Sequence, residues 1–294
     1  MTSTHGLVVA LIPAFNEDRF IASVILKAKR YVDEVIVIDD GSSDDTPYLA
    51  EITGATLIRQ PQNQGKAAAL NVGFAIARER NPAAVILIDG DGQQDANDIP
   101  HLLKPILAGE ADVVVGSRFL DVKSNTPTWR VAGQKALTVA TNIASGVELT
   151  DSQSGFRAIS RQALEKFNFR TRGFSIESEM QFLISQHAMK VAEVAIIVNY
   201  DEGPKRNPIK HGLQVLNGIL RMIGMNRPLF FFGVPGALLM LAGLVLGYNV
   251  VESYRIYSAL ATGTALIAIT LVISGLLSLF TGIILHTIRA YMHD

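Results

Sequence analysis

The chain has 294 residues, a formal net charge of −1 and no cysteine. Its length allows one large domain plus an appendage. The near-neutral charge excludes a general affinity for nucleic acid, and the lack of thiols excludes disulfides and cysteine chemistry, which suits a reducing compartment. Of the 53 Asp, Glu, Lys and Arg residues, only Glu252, Arg255, Arg289 and Asp294 lie beyond Arg227. A soluble domain is therefore expected to precede a membrane domain. The apolar run Leu7–Pro13 is short and has no basic leader, so it is not read as a secretory signal.

In chain order, the apolar run Leu7–Ile12 ends in Pro13-Ala14-Phe15-Asn16-Glu17 and gives way to a helical pattern through Arg30. Val35–Ile38 predicts a second strand, which ends in the acidic cluster Asp39–Thr46; Pro47 there is tolerated in a first helical turn. Ala55–Ile58 predicts a third, followed by Asn63-Gln64-Gly65-Lys66 and an Ala-rich helix to about Arg80. The central strand, the apolar run at 85–88, then leads into Asp89–Asp95, a helix is predicted near Ile99–Ala108, and another strand at Val113–Val115 ends in Gly116-Ser117-Arg118. Helical spacing over Ile176–Met189 and a final run, Val191–Val198, complete this part. Strands alternating with helices predict an α/β fold with a mostly parallel sheet covered on both faces. The polar clusters follow strands, so they should converge on one sheet edge, where ligands bind in such folds. No G-x-G-x-x-G follows the first strand, which argues against a dinucleotide-binding dehydrogenase.

The stretch V-I-L-I-D-G-D-G-Q-Q-D at 85–95 is the chemical centre of the sequence. Asp89 and Asp91 are two apart at the end of a buried strand, so both carboxylates can reach one hard cation whose remaining ligands come from a diphosphate. The alternative is an acidic turn that caps the next helix. Gly65-Lys66 opens a helix, where free N–H groups and an ammonium favour anions.

These blocks resemble a known family. P-A-F-N-E at 13–17, V-I-D-D-G-S-S-D-D-T at 37–46, N-Q-G-K at 63–66 and D-G-D-G-Q-Q-D at 89–95 resemble the inverting family-2 glycosyltransferases with the GT-A fold. G-S-R at 116–118, D-S-Q-S-G-F-R at 151–157 and F-S-I-E-S-E at 174–179 narrow the resemblance to the branch of dolichyl-phosphate mannose synthase and the polyprenyl-phosphate glucosyltransferases. It covers residues 7–200 and implies a nucleotide-sugar donor, a polyprenyl phosphate acceptor and Mg²⁺ or Mn²⁺. By resemblance Pro13, Ala14, Asn16, Glu17, Asp40 and Lys66 surround the nucleotide. Asp91 and Gln93 ligate the metal, and Asp89 contacts the metal or the sugar-nucleotide. Glu17 also suits a first helical turn, and Asp39 suits a turn cap.

A phosphate monoester is largely dianionic at neutral pH and already nucleophilic, so the acceptor calls for cationic donors more than for a strong base. Arg118, Arg130 beside Trp129, Gln134 one turn later, and Arg157 are the candidates, each arginine being equally suited to a structural ion pair. Asp151 is a candidate base or acceptor-positioning group, or a turn cap. By resemblance Glu177 faces the active site, although it also suits the start of its helix.

Gly203–Arg227 holds Lys205, Arg206, Lys210, Arg221 and Arg227 and no carboxylate. Ile209, Leu213, Leu216, Leu220 and Ile223 recur on one helical face, as in an amphipathic helix lying on headgroups. Lys205 and Arg206 are candidates to close over the acceptor phosphate. Pro228–Val251 and Ser258–Ile288 carry no Asp, Glu, Lys or Arg, and about 20 residues suffice to span a bilayer core. Joined by Glu252–Tyr257, they predict a transmembrane hairpin with both termini and the soluble domain cytoplasmic; the hairpin also offers a surface for homo-oligomer formation. The expected division is 1–203 for the GT-A domain, 204–227 for the basic amphipathic segment and 228–294 for the hairpin. Two other functions compete: a processive polysaccharide synthase, whose Q-x-x-R-W block is absent here, and a non-catalytic membrane adaptor that binds nucleotide sugars.

Overall fold

The computed structural model describes residues 6–120, 128–169, 176–198 and 228–293. They fall into two compact units, divided between Gly218 and Ile219. The basic segment with Lys205 and Arg206 lies outside the described residues.

In the first unit β1 (Val8–Ala14), β2 (Glu34–Asp39), β3 (Thr56–Arg59), β4 (Ala84–Leu87), β5 (Val113–Ser117), β6 (Arg157–Ser160) and β7 (Val191–Ala195) form one seven-stranded sheet. The strand order is β3-β2-β1-β4-β6-β5-β7. Side chains alternate across each strand, so one apolar run feeds two cores. Ala10, Ile12, Val35 and Val37 pack under α1 (Ile21–Ala28), α2 (Thr46–Ile52) and, further along the chain, α4 (Ile99–Leu107). Val9, Leu11, Ile36 and Ile38 pack under α3 (Lys66–Arg80), α6 (Arg161–Lys166) and α7 (Ile176–Gln186). The remaining helix, α5 (Thr128–Ser145), meets α7 through Gln181 Nε2, which donates to Asn142 Oδ1 at 2.8 Å.

The expected α/β architecture is present, with one strand that the sequence reading misses. Arg157, for which the sequence suggested no strand, opens β6, which runs antiparallel to both β4 and β5. Its register pairs Arg157 with Leu87 and with Val115. Because β6 is reversed, the loop before it reaches the same edge as the loops after the parallel strands. The D-S-Q-S-G block thereby joins the clusters that follow β1, β2, β3, β4 and β5.

Among the described residues of the second unit, a π-helical turn, Leu229–Gly233, leads into α8 (Val234–Tyr257), which is followed by α9 (Thr262–His293). Leu229–Tyr257 and Thr262–Ile288 are both long and apolar enough to cross a bilayer. Glu252–Tyr257 is not the connection: it forms the last turns of α8, and the chain reverses after Ser258, whose φ of 52° is left-handed. The two helices touch along glycines. A Cβ on Gly275 would lie 2.5 Å from Gly236 O, and one on Gly243 2.8 Å from Ala268 O, so backbone packs on backbone as in small-residue membrane contacts. Ser278 Oγ donates to Phe232 O at 2.8 Å across the pair.

Candidate active site

The edge formed by the β1, β2 and β3 ends is built by short polar clasps. Asn16 takes a left-handed backbone (φ 55°), which asparagine tolerates better than most residues. Its N–H donates to Ser42 Oγ at 2.9 Å, while its Oδ1 accepts from Ser43 N at 2.9 Å. Glu17 N donates to Thr46 Oγ1 at 2.7 Å. Asp39 accepts from Ser42 N at 3.2 Å and pairs with Arg59 at 3.4 Å, which makes it the turn cap its sequence context suggested. Asp40 is also an anchor: its two oxygens accept from Gln64 N at 2.8 Å and Gly65 N at 2.7 Å. The loop it holds passes so close to Gly41 (φ +75°) that a Cβ there would come within 2.8 Å of the Gln62 backbone. Ala14 is buried at the end of β1.

At the end of β4 the geometry becomes ionic. Lys66, the first residue of α3, places Nζ 2.6 Å from Asp89 Oδ1 and 2.8 Å from Glu177 Oε1 at the start of α7. The sequence singled out Lys66 for anion contact; the structure puts it between two carboxylates. Burial pulls its ammonium down, but Asp89 and Glu177 together outweigh that and hold it above its ordinary value. Asp89 Oδ2 accepts from Gln94 Nε2 at 2.8 Å, so both Asp89 oxygens are engaged. Gly155, in the loop before β6, presses on the same group: a Cβ there would lie 2.5 Å from Asp89 Oδ2 and 3.0 Å from Lys66 Nζ. A cleft lined by Pro13, Lys66, Leu87, Ile88, Asp89, Gly155, Arg157, Glu177 and Met180 opens at this point.

Asp91 differs from Asp89. Its Oδ1 accepts from Gln93 N at 3.0 Å, and among the described residues the field of Lys66 offsets its charge only in part. Burial, then the field of Asp89, with Glu17 adding to it, pushes its carboxyl up to about 6. Negative charge is thus concentrated on a half-buried oxygen donor, which is what a hard divalent cation relieves. Among the described residues no three His, Cys, Asp or Glu side chains converge as a protein cage. A Mg²⁺ or Mn²⁺ shared with a diphosphate needs only one or two carboxylates. Asp91, flanked by Asp89 and Gln93, therefore fits such an ion.

The acceptor candidates separate. Arg118 and Asp151 form a forked pair, Nε to Oδ2 at 2.6 Å and a terminal nitrogen to Oδ1 at 2.7 Å, with Arg118 N donating to Oδ2 at 3.1 Å. Asp151 is fully buried and commits both oxygens to this fork, so it is not presented as an open base. Arg157 is fully buried and donates to Ser154 O and Ser152 O, each at 2.9 Å, shaping the loop that carries Gly155. Burial draws its guanidinium below the ordinary value, offset in part by Glu177 and Asp151. Arg130 lies on α5 one turn before Gln134, whose buried Oε1 has no hydrogen-bond partner among the described residues. Gln94 and Gly155 are the site residues that sequence reasoning missed, since neither carries a charge to flag it.

Residues 9–167 match the family described as glycosyl transferase family 2. Glycosyltransferase AglJ of Haloferax volcanii is 30% identical over 96% of this chain and 93% of its own length. UDP-N-acetylglucosamine–dolichyl-phosphate N-acetylglucosaminyltransferase of Methanococcus voltae is 29% identical over 67% of this chain and 87% of its own. Among solved structures, glucosyl-3-phosphoglycerate synthase of Mycobacterium tuberculosis in complex with Mn²⁺, UDP-glucose and phosphoglyceric acid is similar, with 25% identity and a TM-score of 0.57 over 74% of this chain and 80% of that one.

Proposed function

The chain belongs to glycosyl transferase family 2, and we propose that it moves a hexose from a UDP- or GDP-linked donor to a polyprenyl phosphate, dolichyl or undecaprenyl, at the cytoplasmic face of a membrane. The observation that carries this reading is the juxtaposition of Asp89, Asp91, Lys66 and the Arg118–Asp151 fork at one sheet edge, in a chain that also holds two helices of bilayer-spanning length. A donor in water and an acceptor in lipid suit a catalytic edge and apolar helices in one chain. The relative from Methanococcus voltae is named for transfer to dolichyl phosphate, which supports the acceptor class.

In this reading Pro13, Ala14, Asn16 and Glu17 line the nucleotide end, and Asp40 fixes the loop that closes it. Asp91, with Asp89 and Gln93, holds the Mg²⁺ or Mn²⁺, which when bound supplies Lewis-acid stabilisation of the diphosphate leaving group. Lys66 keeps Asp89 ionised and oriented, and Glu177 fixes the lysine from the other side. Arg118, set by Asp151, and Arg130, Gln134, Lys205 and Arg206 supply the polar and cationic surface for the acceptor phosphate, with the buried Arg157 shaping the Gly155 loop. An acceptor oxygen attacks the anomeric carbon as the bond to the diphosphate breaks. The dianionic acceptor has no proton to lose, so a buried Asp151 without base function is compatible with the chemistry. The reading is tested by thermal unfolding of the full chain with a panel of UDP- and GDP-sugars and Mn²⁺. One base class should stabilise the protein by about 2.7 kcal/mol at a hundredfold excess over its Kd; no stabilisation by any donor contradicts the reading.

A further inference from the structure

We infer that Gln94 is a positioning residue for transfer, acting through Asp89 and not as the metal-side ligand its neighbour Gln93 is proposed to be. Its amide grips residue 89 at two points. Gln94 Oε1 accepts from Asp89 N at 3.0 Å, and Gln94 Nε2 donates to Asp89 Oδ2 at 2.8 Å. A single side chain thus closes the D-G-D-G-Q turn on itself and fixes both the backbone and the carboxylate of Asp89.

The remaining contacts explain why this clasp determines an orientation. Lys66 holds the other oxygen, Oδ1, at 2.6 Å. Gly155 occupies the space beyond Oδ2 so closely that no side chain fits there. With the Gly155 backbone closing off the space beyond, the torsion of the carboxylate is set jointly by Lys66 on Oδ1 and Gln94 on Oδ2, and of the two only Gln94 also holds the residue 89 backbone. The main chain of Gln94 is pinned as well. It forms an antiparallel bridge with Val198, and the neighbouring Ile197 N donates to Asp98 Oδ2 at 3.1 Å. The clasp is therefore built on a backbone held from outside the turn, as a precise site requires of its supporting groups. Glutamine holds its carbonyl oxygen and its NH2 group in one plane, and each makes a hydrogen bond to residue 89.

The inference rests on the proposed role of Asp89, and its test separates the two. Full-length wild type, Gln94→Ala and Gln94→Glu are compared in transfer from a radiolabelled nucleotide sugar to polyprenyl phosphate with saturating Mn²⁺, alongside thermal unfolding. Glutamate has the volume of glutamine and keeps the acceptor for Asp89 N, but faces Asp89 Oδ2 with an oxygen. If Gln94 only filled space, Gln94→Glu would be the milder change. The clasp predicts the reverse: kcat falls about tenfold or more in Gln94→Ala and further in Gln94→Glu, while the donor KM moves less than kcat and both variants unfold within a few degrees of wild type. Active wild type with Gln94→Glu equal to or better than Gln94→Ala overturns the inference. A loss confined to donor KM, or one that tracks unfolding, overturns it equally. Inactive wild type across all donors would instead sink the reading of the site as a transferase centre.

Discussion

Separating the Arg118–Asp151 fork is the perturbation whose size the structure fixes best. Asp151 is fully buried, the Arg118 side chain is 11% exposed, and three N–H groups of Arg118 converge on the carboxylate at 2.6 to 3.1 Å. Removing one member of such a pair strands the other charge, at a cost of about 3 kcal/mol. For a domain of this size each kcal/mol is worth roughly 2–4 °C, so Arg118→Met should lower Tm by about 6–12 °C, and Asp151→Asn by somewhat less because the amide keeps one acceptor. The double variant should be little worse than the poorer single, since contacting partners are not additive. Scanning calorimetry of the full chain in detergent reads these shifts. A general base would behave differently: Asp151→Asn would leave Tm nearly unchanged and lower kcat by a factor of about 10² or more. That result, or additive shifts in the double variant, refutes the assignment of Asp151 as the holder of Arg118.

Other predictions concern the neighbouring groups. Because Asp91 is held near 6 and ligates only when ionised, Mn²⁺ affinity with a bound nucleotide should weaken as pH falls through 6; titration calorimetry from pH 8 to pH 5 checks this, and a flat profile contradicts it. By the same shift, the metal-free domain should lose a little stability as pH rises toward 6, since its folded state favours the protonated carboxyl. Gly155→Ala forces a Cβ against Asp89 and Lys66 and should cut transfer by at least tenfold with about 1–3 kcal/mol of destabilisation, seen in paired activity and unfolding measurements. Gly275→Leu collides with the Gly236 and Met240 backbone and should splay the hairpin, lowering recovery of full-length protein from membranes; unchanged recovery would show that the glycine contact is dispensable. The cysteine-free sequence also permits clean labelling: a single cysteine at Ser258 should react with an impermeant maleimide only from outside the cytoplasm.

The elements with long apolar runs were legible because a doubly buried strand leaves an unbroken run of Val, Ile and Leu, and the ends of β1, β2 and β5 lie within two residues of where those runs placed them. β6 was hidden because it begins with a buried arginine and is only four residues long, a pattern that reads as a turn. The end of α8 was misread because Glu252 and Arg255 look like a loop, whereas the helix carries them one i,i+3 step apart at 3.5 Å. Candidate residues can be picked out of the sequence by type, but their partners cannot. Nothing in the sequence joins Lys66 to Glu177, 111 positions away, or Arg118 to Asp151, 33 positions away. Those pairings depend on which loops and helix starts the fold brings to one sheet edge, and they give Lys66 and Arg118 carboxylate partners that no local pattern announces. The expected Lys205 and Arg206 contacts lie outside the described residues.

The most direct test is transfer itself. Purified full chain is incubated with labelled UDP- and GDP-hexoses, polyprenyl phosphate and Mg²⁺ or Mn²⁺, beside the Asp91→Ala variant and a chelated control, and lipid-extractable label is counted. Label should enter an acid-labile lipid with one donor class, and fall by at least a hundredfold both with Asp91→Ala and on chelation. Absence of lipid-linked label with every donor, or full activity in Asp91→Ala, would contradict the account.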